Sequence, residues 1–521
     1  MCAEKSPIAI LQHACREATL IHVGTEKWDS AAINAGLTRP LSHGDFEWDA
    51  LRHEPDLVEV RADLVGEVDT SWLRDRFDGC LVYCLRSREH GGAFEGSSQQ
   101  RCARLLAASE HYDVVDLEAE HDLVPELLER IPVTQRRISW HGTAAEHGLL
   151  HQHFDRMAAV GAGLYVLTTA VSRPEQALAP LRFLGEIGRP DVTAFGTGAA
   201  GFWSRLLAPW LGAPVVFGGL DGNDAEVPTV DQLVADYGFP RLRPLSTVYG
   251  IVGRSVLASV SPRAHNAGYR ALGIPALYLP FQVEDFGGFW REVAESGLTE
   301  LGLPLRAATV VAPHKESALA TARTASPAAD SSGSANSLVR RGKTWHADTS
   351  NSPAISRALA SIDAPVSGRK AAVIGCGGAG RAAALALADC GADPVLVNRD
   401  HHRGRSVAET LGFEFIPLDE FRADGFSLLV HATPVTERVP FHMDDLADDA
   451  VVVDMVYAPG ETAVSSAARE RGLTVVDGWD VLLADASCQF HFMTGQHIPT
   501  EQTRALLKSG RKSPRDGSPR C

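Results

Sequence analysis

An apolar run, Ala371-Ala372-Val373-Ile374, stops at the string GCGGAGRA of residues 375–382, and an alanine-rich segment follows it. That order predicts a buried strand, a glycine turn and a helix N-terminus. Glycines let a backbone approach a ligand closely, while the unpaired N–H groups and the dipole of a helix start draw in phosphate. The turn therefore reads as a pyrophosphate seat built from Gly375, Gly377, Gly378, Ala379 and Gly380. It commits this part of the chain to an α/β dinucleotide-binding domain of Rossmann type. About twenty residues further on, a second apolar run ends in Asn398-Arg399, where the adenosine ribose of a dinucleotide arrives. An arginine there pairs with a 2′-phosphate, so NADP is expected rather than NAD, although the adjacent Asp400 opposes the same phosphate.

Hydride chemistry on a ketone needs a proton donor for the oxygen, and a lysine near a carboxylate fills that role when its pKa is brought toward neutrality. Lys315 and Asp348 are the candidates, Lys315 because it follows the apolar run 307–313 and so ends a strand at a cleft. Four further strings stand in order around them: SVSPRAHN at 259–266, APHK at 312–315, SAN at 334–336 and HATPV at 431–435. With DMVYAP at 454–459, DGWDVLL at 477–483 and QFHFMTG at 489–495, residues 246–500 resemble the shikimate dehydrogenase family. The resemblance implies that Ser259 and Ser261 bind the substrate carboxylate, that Asn336 contacts the ring, that Lys315 and Asp348 are catalytic, and that Thr433 lies against the cofactor. The helix near the end of the region returns to complete the substrate site.

Departures from the family pattern gather around the substrate. Val311 stands where a threonine is usual, Asp485 where a glutamine is usual, and His346-Ala347 precede Asp348 in place of asparagine and threonine. An apolar group and a carboxylate in place of neutral hydrogen-bonding groups change what a pocket accepts. Asp485 is accordingly a substrate-binding candidate that favours a ligand carrying donors.

A chain of 521 residues is too long for one core. In the first 240 residues, apolar runs near 19–23, 56–60, 79–85, 112–117, 134–140, 162–167, 190–195 and 214–218 alternate with helix-like stretches, which predicts a (β/α)₈ barrel. Polar residues at the ends of those runs then face an active-site rim. The strings EVRAD at 59–63, LRSREHGG at 85–92, DLE at 116–118, SWH at 139–141 and WSRLL at 203–207 resemble the Schiff-base class of 3-dehydroquinate dehydratases. The resemblance assigns Glu59, Arg61, Arg86 and Arg205 to substrate binding, and Glu89 and His141 to proton handling. Any one of these alone would read as a surface charge or an interior histidine; six in register read as a pocket. The lysine that defines this chemistry is missing: no lysine occurs between Lys27 and Lys315, and Val166 stands nearest its expected place. Without an amine there is no imine to serve as electron sink. The barrel therefore reads as a dehydratase-like pocket that has lost its covalent step.

The expected organisation is a barrel over 1–240, a substrate-binding domain over 246–352 completed by 480–506, a Rossmann NADP domain over 353–479 and a basic tail over 507–521. A formal net charge of −16 argues against nucleic acid, and no apolar stretch suggests a membrane span. Nine scattered cysteines suit reduced thiols of the cytoplasm. The histidine pairs His151/His153 and His401-His402 lack zinc-site spacing, so no metal is expected. The favoured reading is a shikimate dehydrogenase-like oxidoreductase acting on a small cyclic hydroxy acid. Its alternatives are a bifunctional dehydratase/dehydrogenase, a quinate or aminoshikimate dehydrogenase, and a metabolite-sensing regulatory protein.

Overall fold

The computed structural model describes residues 31–37, 53–360 except 221 and 223, 366–456 and 460–498. The chain divides into two compact units, the first made of 1–250, 254–262 and 275–305, the second of 251–253, 263–274 and 306–521.

Eight strands of the first unit form one sheet: β1 (Ala32–Leu37), β2 (Leu57–Arg61), β3 (Cys80–Cys84), β4 (Val114–Glu118), β5 (Arg136–Thr143), β6 (Leu164–Ala170), β7 (Val192–Thr197) and β8 (Val215–Gly219). Their order is β7-β6-β5-β4-β3-β2-β1-β8, with every pair parallel, and helices or helical turns fill most of the connections. Phe195 of β7 and Phe217 of β8 bring the two ends of this order together, with ring centroids 5.6 Å apart. Seven of the eight predicted strands fall on these elements. The run near 19–23 lies outside the described residues, and the first place in the barrel is taken by β1, whose sequence AINAGL breaks its apolar run with Asn34 and Gly36.

Further along come β9 (Thr247–Gly253), β10 (Ala276–Gln282), β11 (Leu305–Val310), β12 (Thr324–Ala325), β13 (Ser337–Arg341) and β14 (Thr344–Asp348), in sheet order β10-β9-β11-β13-β14-β12. Residues 321–337, rich in Ala, Ser and Thr, contain the helix Pro327–Ser332. Ser326 caps it by accepting from Ala329 N at 3.2 Å and Pro327 occupies its first turn, a start signal that outweighs the small-residue composition.

The second unit also holds β15 (Lys370–Ile374), β16 (Asp393–Asn398), β17 (Glu414–Pro417), β18 (Leu428–His431), β19 (Val451–Asp454) and β20 (Thr474–Val476). All are parallel, in the order β17-β16-β15-β18-β19-β20. This sheet is covered on both faces: Ala371 and Val373 point into one core with Ala383, Leu387 and Val481, while Ala372 and Ile374 point into another with Phe421, Leu429 and Val464. Burial on both sides is why these strands read as continuous apolar runs rather than as alternating ones.

Within the first unit, the fully buried Trp203 sits on the helix Phe202–Leu207 and meets Phe281 of β10 at 5.4 Å between ring centroids. Trp203→Ala should destabilise the protein by ~3–5 kcal/mol, read as a lower urea midpoint for the transition of this unit. A change under 1 kcal/mol would show that the contact contributes little.

Candidate functional site

Two cavities, one in each unit, are lined by half of the site residues foreseen from sequence, while Lys315 and Asp348 line neither. In the second unit the strand order reverses between β15 and β18, and a cavity of about 350 Å³ opens at the carboxyl ends of β15, β16 and β18. Its lining includes Gly375, Gly377, Asn398, Arg399, Arg403, Thr433 and Arg438. The glycine turn is required by contact geometry. A Cβ on Gly380 would lie 1.8 Å from the carbonyl oxygen of Gly375, whose own φ is +111°, whereas a Cβ on Gly377 would meet nothing within 4 Å. The first two positions allow the tight turn, and the third leaves open the space a phosphate needs. The helix Gly378–Asp389 starts there.

Arg399 is joined by Arg403 and Arg438, two cations the sequence reading did not single out. Asp400 lines the same cavity, but its Oδ1 accepts from Arg403 N at 3.0 Å as the N-cap of the helix His401–Leu411. Its charge is therefore partly engaged in capping. Thr433 is oriented by a buried relay: Thr433 Oγ1 lies 2.7 Å from His431 Nε2, and His431 Nδ1 lies 3.1 Å from Asp454 Oδ1. Burial pushes the Asp454 carboxyl up, but hydrogen bonds from His431 and Thr462 outweigh it and hold the group ionised. The residues present fit a phosphorylated dinucleotide.

Lys315 lies beside this turn, since a Cβ added to Gly378 would come within 3.5 Å of its Cδ. Consecutive residues hold the two catalytic candidates. Ala335 N donates to Lys315 O at 2.9 Å and Asn336 N donates to Asp348 O at 3.1 Å, so both backbones hang from one rung at the start of β13. The side chain of Asp348 is held by Ser326 Oγ at 2.6 Å and Thr349 N at 2.7 Å. Burial pulls the Lys315 ammonium below its ordinary value, Asp485 opposes that, and Arg381 reinforces it. The carboxylate whose field acts on Lys315 is thus Asp485, a pairing that sequence spacing does not reveal.

Asp485 projects from the helix Gly478–Thr494 into a polar cluster. Its Oδ1 accepts a short hydrogen bond from Ser350 Oγ, and its Oδ2 accepts from Gln489 Nε2 at 2.7 Å. Asn336 Nδ2 reaches Ser350 Oγ at 2.9 Å, and Thr309 Oγ1 donates to Gln489 Oε1 at 2.8 Å. Ser350, Gln489 and Thr309 were not foreseen as members of this site. Ser259 and Ser261 belong to the first unit, where Ser261 N donates to Ser259 Oγ at 3.2 Å.

The barrel cavity, about 150 Å³, is lined by Glu59, Arg61, Arg86, His141 and Arg205 as expected, together with Asn34, Arg137, Val166 and Thr168. Alternation along β5 places Arg137, Ser139 and His141 on the inner face. Glu59 anchors the cluster: it accepts from Arg137 Nη1 at 2.7 Å and from Asn34 Nδ2 at 2.9 Å. Burial pushes its carboxyl up, yet Arg137, Arg86 and Arg61 prevail and bring it to about 2. Arg61 is forked onto Asp63 by two bonds of 2.8 Å. Arg205 stacks its guanidinium 5.1 Å from the Phe195 ring with its Nε unpartnered, and burial lowers it to about 10. His141 Nδ1 lies 2.7 Å from Thr168 Oγ1, its Nε2 is buried without a partner, and burial with the surrounding Arg86 keeps the ring neutral.

Glu89 requires correction. Its side chain is 77 % exposed, and the residue turned inward from this segment is its neighbour His90, whose side chain is 8 % exposed. The segment is the 3-10 turn Arg88–His90, in which adjacent residues point about a third of a turn apart.

Three family models match the chain: type I 3-dehydroquinase over residues 40–243, the substrate-binding domain of shikimate dehydrogenase over 251–338, and the NADPH-binding domain of acetohydroxy acid isomeroreductase over 365–434. A shikimate dehydrogenase (NADP(+)) of Halobacterium salinarum is 35% identical over 271 residues, covering 50% of this chain and 98% of that protein. The chain belongs to the shikimate dehydrogenase family. Its first part is a type I 3-dehydroquinase domain. A bifunctional 3-dehydroquinate dehydratase/shikimate dehydrogenase of Arabidopsis thaliana is 27% identical over 486 residues, covering 86% of this chain and 79% of that protein. A solved structure of the dehydroquinate dehydratase and shikimate dehydrogenase from S. pombe covers 92% of this chain and 98% of its own, at 20% identity and a TM-score of 0.43. Among the described residues, no helix is long and apolar enough to cross a membrane.

Because the Gly380 contact is with backbone, Gly380→Ala of this shikimate dehydrogenase homologue should weaken NADPH binding at least ~10-fold by displacing the helix start, measured by fluorescence titration. Unchanged affinity would show that the turn is not the phosphate seat.

Proposed function

We propose that the dehydrogenase half catalyses the reversible NADP-dependent reduction of 3-dehydroshikimate, or a close cyclic hydroxy acid, to the corresponding alcohol. The placement of Lys315 between the glycine turn and the Asn336–Ser350–Asp485 cluster carries this reading. Arg399, Arg403 and Arg438 favour the 2′-phosphorylated coenzyme, which supplies the hydride. Lys315 gives a proton to the carbonyl oxygen as negative charge develops there, and takes it back in the oxidation. Asp348, tied to the same backbone rung, orients the hydroxyl being made or consumed. Ser259 and Ser261 receive the ring carboxylate. Asp485, an anion where neutral amides are usual in the family, favours ring substituents that donate hydrogen bonds, an ammonium among them. The cytoplasm is the proposed compartment, on the scattered cysteines of the sequence.

The decisive measurement is NADP(H) absorbance over shikimate, quinate and amino-substituted analogues. Lys315→Ala and Asp348→Asn should each lower kcat by ~10²-fold with coenzyme affinity retained. Reduction should fall as pH rises through a lysine pKa below the ordinary ~10.4, because the protonated form is the donor. Normal turnover in both variants would reject the assignment.

In the barrel, we propose a pocket that holds a cyclic carboxylate without forming an imine. Four arginines against one glutamate line it, Val166 occupies the wall where an amine is expected, and no lysine lies between Lys27 and Lys315. The bifunctional name of the Arabidopsis relative supports a second reading, dehydration through an enolate held by Arg86 and Arg205 with neutral His141 as base. Borohydride with 3-dehydroquinate, followed by intact mass, should leave the mass unchanged. A stable ligand-sized adduct would reject the imine-free pocket, and turnover without an adduct would select the enolate reading.

A further inference from the structure

Beside the barrel pocket, three side chains with metal-ligand chemistry converge at the carboxyl ends of two neighbouring strands. His90 follows β3, while Glu118 and His121 stand at the end of β4 and just beyond it. One donor atom from each lies within 4.8 Å of the other two. His90 Nδ1 is buried and lies 3.3 Å from Glu118 Oε1, close enough for an ion pair but outside good hydrogen-bond geometry. The rings of His90 and His121 are 5.5 Å apart between centroids. Glu89, the carboxylate that turned away from the pocket, lies 3.4 Å from His121 Nε2.

The surroundings resemble the outer shell of a metal site more than a simple ion pair. Ligating carboxylates are usually fixed by further hydrogen bonds, and those partners set their orientation. Glu118 is fixed in that way: Ser87 N donates to its Oε1 at 3.0 Å, and Arg101 Nη2 stands 3.0 Å from its Oε2. Arg101 is itself bound through two 2.6 Å contacts to Asp122, so it does not neutralise Glu118 alone. Donors around a tetrahedral zinc ion are roughly 3.4 Å apart, closer than the 4.8 Å limit seen here. His121 and Glu89, at 32 % and 77 % side-chain exposure, have the freedom to make up the difference.

We propose that His90, Glu118 and His121, with Glu89 as a further carboxylate, form a binding site for a divalent transition-metal ion at the carboxyl end of the barrel. Two imidazoles and one or two carboxylates suit zinc and its neighbours, and suit calcium or magnesium poorly. The expectation from histidine spacing that the chain binds no metal is revised by this geometry, because the ligands are brought together by the barrel and lie 31 positions apart from first to last.

The test uses the full chain, treated with chelator, dialysed and titrated with Zn²⁺ in a calorimeter. One ion per chain should bind, and His90→Ala and His121→Ala should each weaken that binding by at least ~10-fold. His151→Ala removes a surface histidine of 56 % exposure and should leave it unchanged. Circular dichroism checks folding, and the exposed His121 provides an independent variant should His90→Ala fail to fold. No zinc uptake by the wild type, or equal affinity in His121→Ala and wild type, would overturn the proposal.

Discussion

The approach of Gly380 to the carbonyl oxygen of Gly375 governs the dehydrogenase half. No side chain fits that gap, so the strand β15 must turn into its helix at once, and the helix N-terminus is placed where the sheet order reverses. From there the other positions follow. The first turn of the helix lies against Lys315, and the carboxyl ends of β16 and β18 supply Arg399 and Thr433 to the same cavity. Both faces of the sheet are apolar and buried, which leaves its carboxyl edge as the place where polar groups collect.

The barrel follows a different economy. Arg137 pairs with both Glu59 and Asp116, Arg101 pairs with Glu118 and Asp122, and such buried pairs seldom add stability beyond that of an apolar core. Arg205 differs because, among the described residues, it has an aromatic neighbour but no carboxylate in ion-pair contact, only the fields of Asp224 and Glu226 opposing its burial, and its buried Nε lacks an acceptor. A buried cation left in that condition destabilises the free protein. An anion entering the cavity would offset that cost, which is the physical argument for the proposed ligand pocket.

Much of this was legible in the residues. Period and turn signals located seven barrel strands and, in the nucleotide-binding sheet, β15 and β16, because strands buried on both faces give uninterrupted apolar runs. β1 escaped because Asn34, which reaches inward to Glu59, looks like a loop residue when read in one dimension. Glu89 was preferred to His90 because the resemblance of the string LRSREHGG assigned proton handling to the glutamate, whereas the rotation of a 3-10 turn decides which neighbour faces inward. Arg137 resembled any surface arginine until the alternation of β5 put it beside Glu59. Contacts between distant segments, such as His90 with Glu118 or Lys315 with Asp485, have no local signature.

Asp485 shows how one substitution redistributes a site. Its two oxygens are taken by Ser350 and Gln489, so it acts on Lys315 through its field and not through a direct bond. Burial pushes its carboxyl up, while the Ser350 hydroxyl and the Lys315 charge stabilise the anion. A glutamine there would supply no charge, and burial and Arg381 would then depress the lysine further. The aspartate therefore keeps Lys315 a better proton holder than burial alone would allow. Under the proposed function two consequences belong together: the group that tunes the proton donor also places negative potential beside the substrate ring.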